Sequence, residues 1–176
     1  MIIQFCGLSG SGKTTLANNV KKLLDEKNLN VEILDGDEYR KILCVDLGFS
    51  KEDRNSNIRR LAFIASKLSK YNAITIICAI NPYEDIRHEI AKQYPDVKTV
   101  FIDCNLNELI KRDTKGLYKK ALLPDGHLDK IKNLTGINDP FEKPTIFDLL
   151  IQTDVETIQE STEKLLKFII DLNTAK

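Results

Sequence analysis

Short, almost wholly apolar runs alternate along the chain with stretches in which apolar residues recur at helical spacing. The first run, Ile2–Cys6, stops at a glycine-rich turn, Gly7–Gly12. Leu16, Val20, Leu23 and Leu24 then line one side of Lys13–Lys27, which predicts an amphipathic helix. A second run, Val31–Leu34, ends at Asp35-Gly36-Asp37. Lys51–Tyr71 reads as a long helix with Ile58, Leu61, Ile64, Ala65 and Leu68 on one face, and Ser50 in front of it with Asp53 further on forms a capping-box start. Ala73–Ile80 is a third apolar run, stopped by Asn81-Pro82 and followed by a charged helix over Tyr83–Tyr94. Val97–Cys104 precedes a helix over Leu106–Arg112, Leu149–Gln152 is the last strand candidate, and Val155–Leu172 closes the chain as an amphipathic helix. Strands covered on both faces lose the polar alternation of a half-exposed sheet, so runs this apolar between helices predict an α/β three-layer sandwich around a five-stranded parallel sheet.

One stretch breaks the alternation. Asp113–Phe147 has no sustained period, contains three prolines and is rich in lysine (Lys115, Lys119, Lys120, Lys130, Lys132). A solvated loop is the plain reading, but structureless loops of this length are uncommon inside compact domains and often serve as lids, which is the role expected here. The 176 residues fit one domain, 1–176. Lys plus Arg and Asp plus Glu are both 26, and a net charge of zero argues against a nucleic-acid partner or a membrane-coating surface. Apolar runs of about eight residues fall far short of the roughly 20 that span a bilayer. The N-terminus lacks the basic flank of a signal peptide. The four cysteines form no CxxC pair and behave as small hydrophobes, so a reduced, cytoplasmic protein is expected.

The chemistry is carried by Gly7-Leu8-Ser9-Gly10-Ser11-Gly12-Lys13-Thr14, which matches GxxxxGK[ST] between a strand and a helix. In that setting backbone N–H groups curl around a polyphosphate and the helix N-terminus adds partial positive charge. Lys13 would reach the β- and γ-phosphates of ATP, and the Thr14 hydroxyl would ligate Mg²⁺. The sandwich is therefore expected to be of the P-loop NTPase type. No NKxD-type guanine-reading motif is present, which disfavours a GTPase. Asp35 and Asp37 end the second strand on the same sheet edge as the P-loop, where a base or a magnesium ligand belongs, although Asp-Gly-Asp can also be a simple turn. Arg40, Arg54, Arg59, Arg60 and Arg87 are each ordinary helix-surface residues when taken singly; together they suggest an anionic second substrate. His88 and His127 have no metal-ligand spacing.

Gly7–Thr15, Asp35-Gly36-Asp37 with Arg40, Leu47–Arg54, Asn57–Arg60, Lys115–Lys120 and Thr135–Glu142 occur in one order, and that series resembles the adenylylsulfate (APS) kinases over nearly the whole chain. The resemblance implies transfer of the ATP γ-phosphoryl group to the ribose 3′-hydroxyl of a 5′-modified nucleotide. It implies that the P-loop through Thr15, with Arg112, holds ATP, and that Thr14 and Asp37 are linked to Mg²⁺. By the same analogy Asp37 is the acid or base at the 3′-hydroxyl, with Asp35 beside it. Arg40, Arg54 and Asn57 hold the 5′ anionic group, Phe49 stacks on the base, and Ile80, Asn81, Lys115, Gly116 and Leu117 complete the acceptor pocket. A homodimer is also implied.

Three departures from the family pattern surround the acceptor. Asn81 replaces a serine, which removes any route through a phosphoserine there; Leu134 replaces the phenylalanine that walls the base; and the segment Lys120–Lys132 is longer than usual. Leu134 packs against a base but has no π-face, a contact worth ~1–3 kcal/mol for an aromatic. These changes keep open a second acceptor, cytidine 5′-diphosphoramidate, whose exocyclic amine could use Asn133 or Asn81. A non-catalytic nucleotide-binding regulator is the reading from another class, although Lys13, Thr14, Asp37 and Arg112 are all present.

Overall fold

The computed structural model describes residues 1–174. Its strands are β1 (Ile2–Cys6), β2 (Val31–Asp35), β3 (Ile74–Cys78), β4 (Val97–Asp103) and β5 (Leu149–Gln152). They form one sheet of order β2-β3-β1-β4-β5, parallel throughout. The helices are α1 (Lys13–Asp25), α2 (Gly36–Ile42), α3 (Lys51–Ser69), α4 (Glu84–Gln93), α5 (Leu106–Arg112), α6 (Leu117–Ala121) and α7 (Ile158–Thr174).

β1 and β3 are buried at every position because both faces of the sheet are covered. Neighbouring residues serve opposite layers. Ile3, Phe5 and Ile76 pack with Leu16 and Val20 of α1 and Leu165 and Ile169 of α7, whereas Ile2 and Ile77 pack with Leu61 and Ala65 of α3 and Ile86 and Ile90 of α4. The helix after β1 and the helix after β3 thus lie on opposite faces although the two strands are paired. A crevice opens where such helices diverge, beyond the carboxyl ends of the strands. Gly7 N–H donates to Ile80 O at 3.0 Å across that junction. A third apolar cluster, Cys104, Leu109, Tyr118, Ala121 and Leu134, sits between α5, α6 and the segment that follows them.

Two elements were not anticipated. Asp35-Gly36-Asp37, readable as a turn, instead opens the short helix α2: Asp35 Oδ1 accepts from Asp37 N at 2.8 Å and Glu38 N at 3.4 Å, an N-cap. Within 113–147 the five-residue α6 is ordered by Asp113, whose carboxylate accepts from Tyr118 N and Lys119 N, both at 2.9 Å. At α3 the expected cap is present in altered form: Ser50 Oγ accepts from Asp53 N at 3.1 Å, and the Asp53 carboxylate accepts from the Ser50 hydroxyl at 2.9 Å.

Candidate active site

The loop Gly7–Gly12 is fixed by its own lysine. Lys13 Nζ donates to Gly7 O at 2.9 Å, to Leu8 O at 2.6 Å and to Ser11 Oγ at 3.4 Å. Burial lowers its pKa from 10.5 to about 8, because desolvation disfavours the ammonium. Gly12 holds the left-handed backbone (φ 92°) from which α1 starts. Thr153 Oγ1 donates to Ser11 O at 3.0 Å and ties the loop to the end of β5, and Arg112 Nη2 donates to Thr153 O at 2.8 Å, so Arg112 reaches the P-loop through Thr153.

Thr14 Oγ1 donates to Asp35 Oδ2 at 3.3 Å and lies 3.5 Å from Cys78 Sγ. Asp35 therefore stands beside the threonine hydroxyl, while Asp37, one residue into α2, accepts from Lys115 Nζ at 2.6 Å. That bond raises the Lys115 pKa. Hydroxyl and carboxylate oxygens are the hard donors magnesium takes, and Mg²⁺ commonly keeps waters and phosphate oxygens for its remaining positions. Among the described residues no group of three or more His, Cys, Asp or Glu could hold a metal alone. The donors present thus fit a nucleotide-borne Mg²⁺, with Thr14, Asp35 and Asp37 as its protein neighbours.

A cavity of about 660 Å³ extends from the P-loop, and most predicted site residues line it: Ser9, Gly10, Gly12, Lys13, Thr14, Thr15, Asp35, Asp37, Phe49, Arg54, Ile80, Lys115, Leu117 and Leu134. Phe49 is half exposed, with the guanidinium carbons of Arg40 and Arg54 at 4.8 Å and 5.4 Å from its ring centre. Leu134 contributes to the same wall while anchored in the third apolar cluster. Arg54 is buried, its Nε donating to Phe49 O at 3.0 Å and its Nη2 to Asn133 O at 2.8 Å.

Other expected residues lie off this wall. Arg40 supports it from behind, Nη1 donating to Gly48 O at 2.7 Å. Asn57 is buried one helical turn from Arg54, its Oδ1 without a hydrogen-bond partner. Gly116 starts α6 with φ 65°. The Asn81 side chain is buried, with Nδ2 donating to Gln4 Oε1 at 3.2 Å, so it is occupied in the core. Gly7, Leu8 and Ser11 form the back of the P-loop and do not line the cavity. The wider arginine group is mainly structural. Arg59 and Arg60 make exposed two-point ion pairs with Glu89 and Asp46, and buried Arg87 donates to Asn81 O and Glu142 O, both at 2.7 Å.

Sequence reasoning missed Tyr118, which is buried and whose hydroxyl donates to Ser9 O at 2.8 Å, linking α6 to the P-loop. It also missed Thr135 as a wall residue and the contact between Leu8 and Gly136, whereas Asn133, offered as a base partner, does line the cavity. Gly136 has φ 90°, and a Cβ there would stand 2.6 Å from Leu8 Cδ2. The only local signal was that Tyr118 and Gly136 fall inside the motif series. A larger cleft of about 870 Å³ lies beyond Leu8 on the other side of residues 136–141. It contains neither Lys13 nor Thr14, so the smaller cavity is the candidate site.

A parallel sheet with a P-loop at its central strand, opening on a cavity with an aromatic and a buried arginine, defines a P-loop nucleotide kinase. Comparison with known proteins narrows the class. The adenylylsulphate kinase family model matches residues 1–152. An adenylyl-sulfate kinase of Chloroflexus aurantiacus is 44% identical over 166 residues, 94% of this chain and 87% of the relative. A probable bifunctional SAT/APS kinase of Sorangium cellulosum is 44% identical over 97% of this chain, which spans only 29% of that longer protein. The solved structure of the Mycobacterium tuberculosis APS kinase CysC in complex with AMPPNP and APS superposes with a TM-score of 0.86 at 36% identity, over 98% of this chain and 96% of that one. The chain belongs to the adenylylsulphate kinase family.

Proposed function

We propose that the protein transfers the γ-phosphoryl group of Mg·ATP to the ribose 3′-hydroxyl of adenosine 5′-phosphosulfate. The observation that carries this reading is that the P-loop and the Phe49–Arg54 wall open on one cavity, so donor phosphates and a flat anionic acceptor share a common space. In this reading the P-loop amides and Lys13 stabilise charge on the transferring phosphoryl group, which is most of what in-line transfer requires. Asp37 accepts the 3′-hydroxyl proton, with the Lys115 ammonium beside it to hold its orientation. Mg²⁺, when bound with the nucleotide, neutralises phosphate charge; Thr14, Asp35 and Asp37 would hold it. Phe49 stacks on the base against Leu134, Arg54 meets the 5′ anion, and residues 113–147 close over both substrates and exclude water. Arg112 lies on the ATP side.

The cytidylyl alternative is weakened at Asn81, whose side chain is buried off the cavity wall, although only its Nδ2 is engaged, by Gln4, and its Oδ1 has no partner. Four free, buried cysteines support a reduced, cytoplasmic setting, and no helix among the described residues is long and apolar enough to cross a membrane. A homodimer is part of the proposal on family grounds.

The test is a coupled ADP-release assay with Mg·ATP and, side by side, adenosine 5′-phosphosulfate and cytidine 5′-diphosphoramidate, with the product's phosphate located by ³¹P NMR. The expected result is a higher kcat/KM for the adenylyl acceptor and a 3′-phosphorylated product. Preference for the cytidylyl compound would reassign the acceptor, and ATP hydrolysis indifferent to any acceptor would point to the regulator.

A further inference from the structure

The acidic residue of the Asn138-Asp139-Pro140 turn has no role in the reading above. Arg54 has five N–H donors. Nε–H goes to Phe49 O at 3.0 Å and Nη2 to Asn133 O at 2.8 Å, while Asp139 Oδ2 stands 3.0 Å from Nη2 as an ion pair without hydrogen-bond alignment, a buried oxygen with no hydrogen-bond partner. Among the described residues no hydrogen bond uses Nη1. Arg54 and Asn133 line the cavity, and Asp139 lies outside it, across the guanidinium.

The Asp139 carboxylate is not needed to shape its own turn. Gly136 N donates to Asp139 O at 2.7 Å, Asp139 N and Asn138 N donate to Leu134 O at 3.2 Å, and Asn138 Oδ1 accepts from Leu134 N at 2.7 Å. All of these involve backbone groups of residues 138 and 139 or the side chain of residue 138. A buried arginine whose Nε and Nη2 are engaged by two carbonyls and a carboxylate is held in rotation, and its free Nη1 then offers two fixed N–H donors to an oxyanion.

We propose that Asp139 is a positioning residue for the acceptor: it clamps the Nη2 edge of Arg54 so that the Nη1 edge is left to receive the acceptor's 5′ anionic group. The inference rests on the functional reading above. A carboxylate near an anion subsite has a cost, because it offsets part of the arginine's charge. Its gain is in orientation, since Arg54 without it has two neutral carbonyl partners and freedom to turn toward them.

The test is steady-state kinetics of Asp139→Ala, Asp139→Asn, Arg54→Ala and the Arg54→Ala/Asp139→Ala double variant, varying each substrate, with thermal unfolding alongside. Asp139→Ala is expected to raise the acceptor KM roughly 10- to 100-fold with the ATP KM within about twofold, the range for loss of a charge-assisted contact. Asp139→Asn, which keeps an acceptor oxygen, is expected to recover part of the loss. In the Arg54→Ala background the Asp139 change is expected to add little, because the two act as one unit. An unchanged acceptor KM, a parallel rise in both KM values with a lowered unfolding temperature, or full additivity with Arg54→Ala would each overturn the proposal. Wild-type turnover of adenosine 5′-phosphosulfate judges the functional reading separately. Should the wild type bind this compound without turning it over, calorimetric titration of the same variants decides, weaker binding by Asp139→Ala supporting the inference and equal binding overturning it; a wild type that neither binds nor turns it over overturns both.

Discussion

Lys13 carries its charge in a nearly closed space, held by two carbonyls and a hydroxyl of its own loop. Burial lowers its pKa to about 8, below the 10.5 of the unfolded chain. Two opposite pH trends follow. Between those values the unfolded chain holds a proton that the folded chain has released, so this group's contribution to stability grows as pH rises. Nucleotide binding needs the ammonium, so affinity for Mg·ATP falls over the same window. Calorimetric titration at pH 7 and pH 9 is expected to show binding up to about tenfold weaker at the higher pH, in proportion to the protonated fraction. Lys13→Ala should bind weakly at both values and lose transfer by about 10²–10³-fold, as for removal of one fixed transition-state donor. A wild-type affinity that does not change with pH would refute the assignment of a lowered pKa to the free enzyme. Asp35 shows what residue-level reading leaves open: its carboxylate caps α2 and also meets Thr14, two duties that no local pattern distinguishes from those of Asp37.

At the scale of elements, legibility followed burial. β1 and β3 were readable because both faces are covered and each becomes a nearly apolar run, β2, β4 and β5 from shorter or polar-interrupted apolar runs, and α1, α3 and α4 because each presents one apolar stripe. α2 and α6 were not readable: neither carries within its own residues the i, i+3, i+4 apolar set that the similarly short α5 shows in Leu106, Leu109 and Ile110, and side-chain caps start or hold them. The start of α3 was readable from Ser50, and it bears on the site because Phe49 immediately precedes it. Ser50→Ala removes the acceptor for Asp53 N and the donor to its carboxylate, a loss of about 1 kcal/mol. For a chain of this length that corresponds to a fall in Tm of ~2–4 °C, measurable by calorimetry. A Tm equal to that of the wild type would show that α3 does not depend on this cap.

For the whole molecule, the informative segment is 113–147, attached to the sheet by side chains from distant positions. Its beginning is held by the Lys115–Asp37 pair, exposed on both sides and so weakly stabilising, and by Tyr118 under Ser9. Its end is strapped to the β3–α4 connection: buried Arg87 binds Glu142 O, Glu142 N donates to Pro82 O at 2.8 Å, and Glu84 accepts from Thr145 N and Oγ1. Hydrogen exchange should therefore be fastest over 122–132, slowest over 142–147, and slowed in the first region by Mg·ATP with acceptor; uniform exchange across the segment would deny it a lid's behaviour. None of these attachments was legible, because each joins residues far apart in the chain whose local surroundings are unremarkable. The same holds for Leu8 of the P-loop against Gly136, far apart in the chain. The consequence is one of inheritance. A recombination that joins this P-loop to a segment with a side chain at position 136 must both strain a left-handed backbone, φ 90°, and displace the Leu8 side chain, so this segment is not exchanged freely apart from the loop that grips the phosphates.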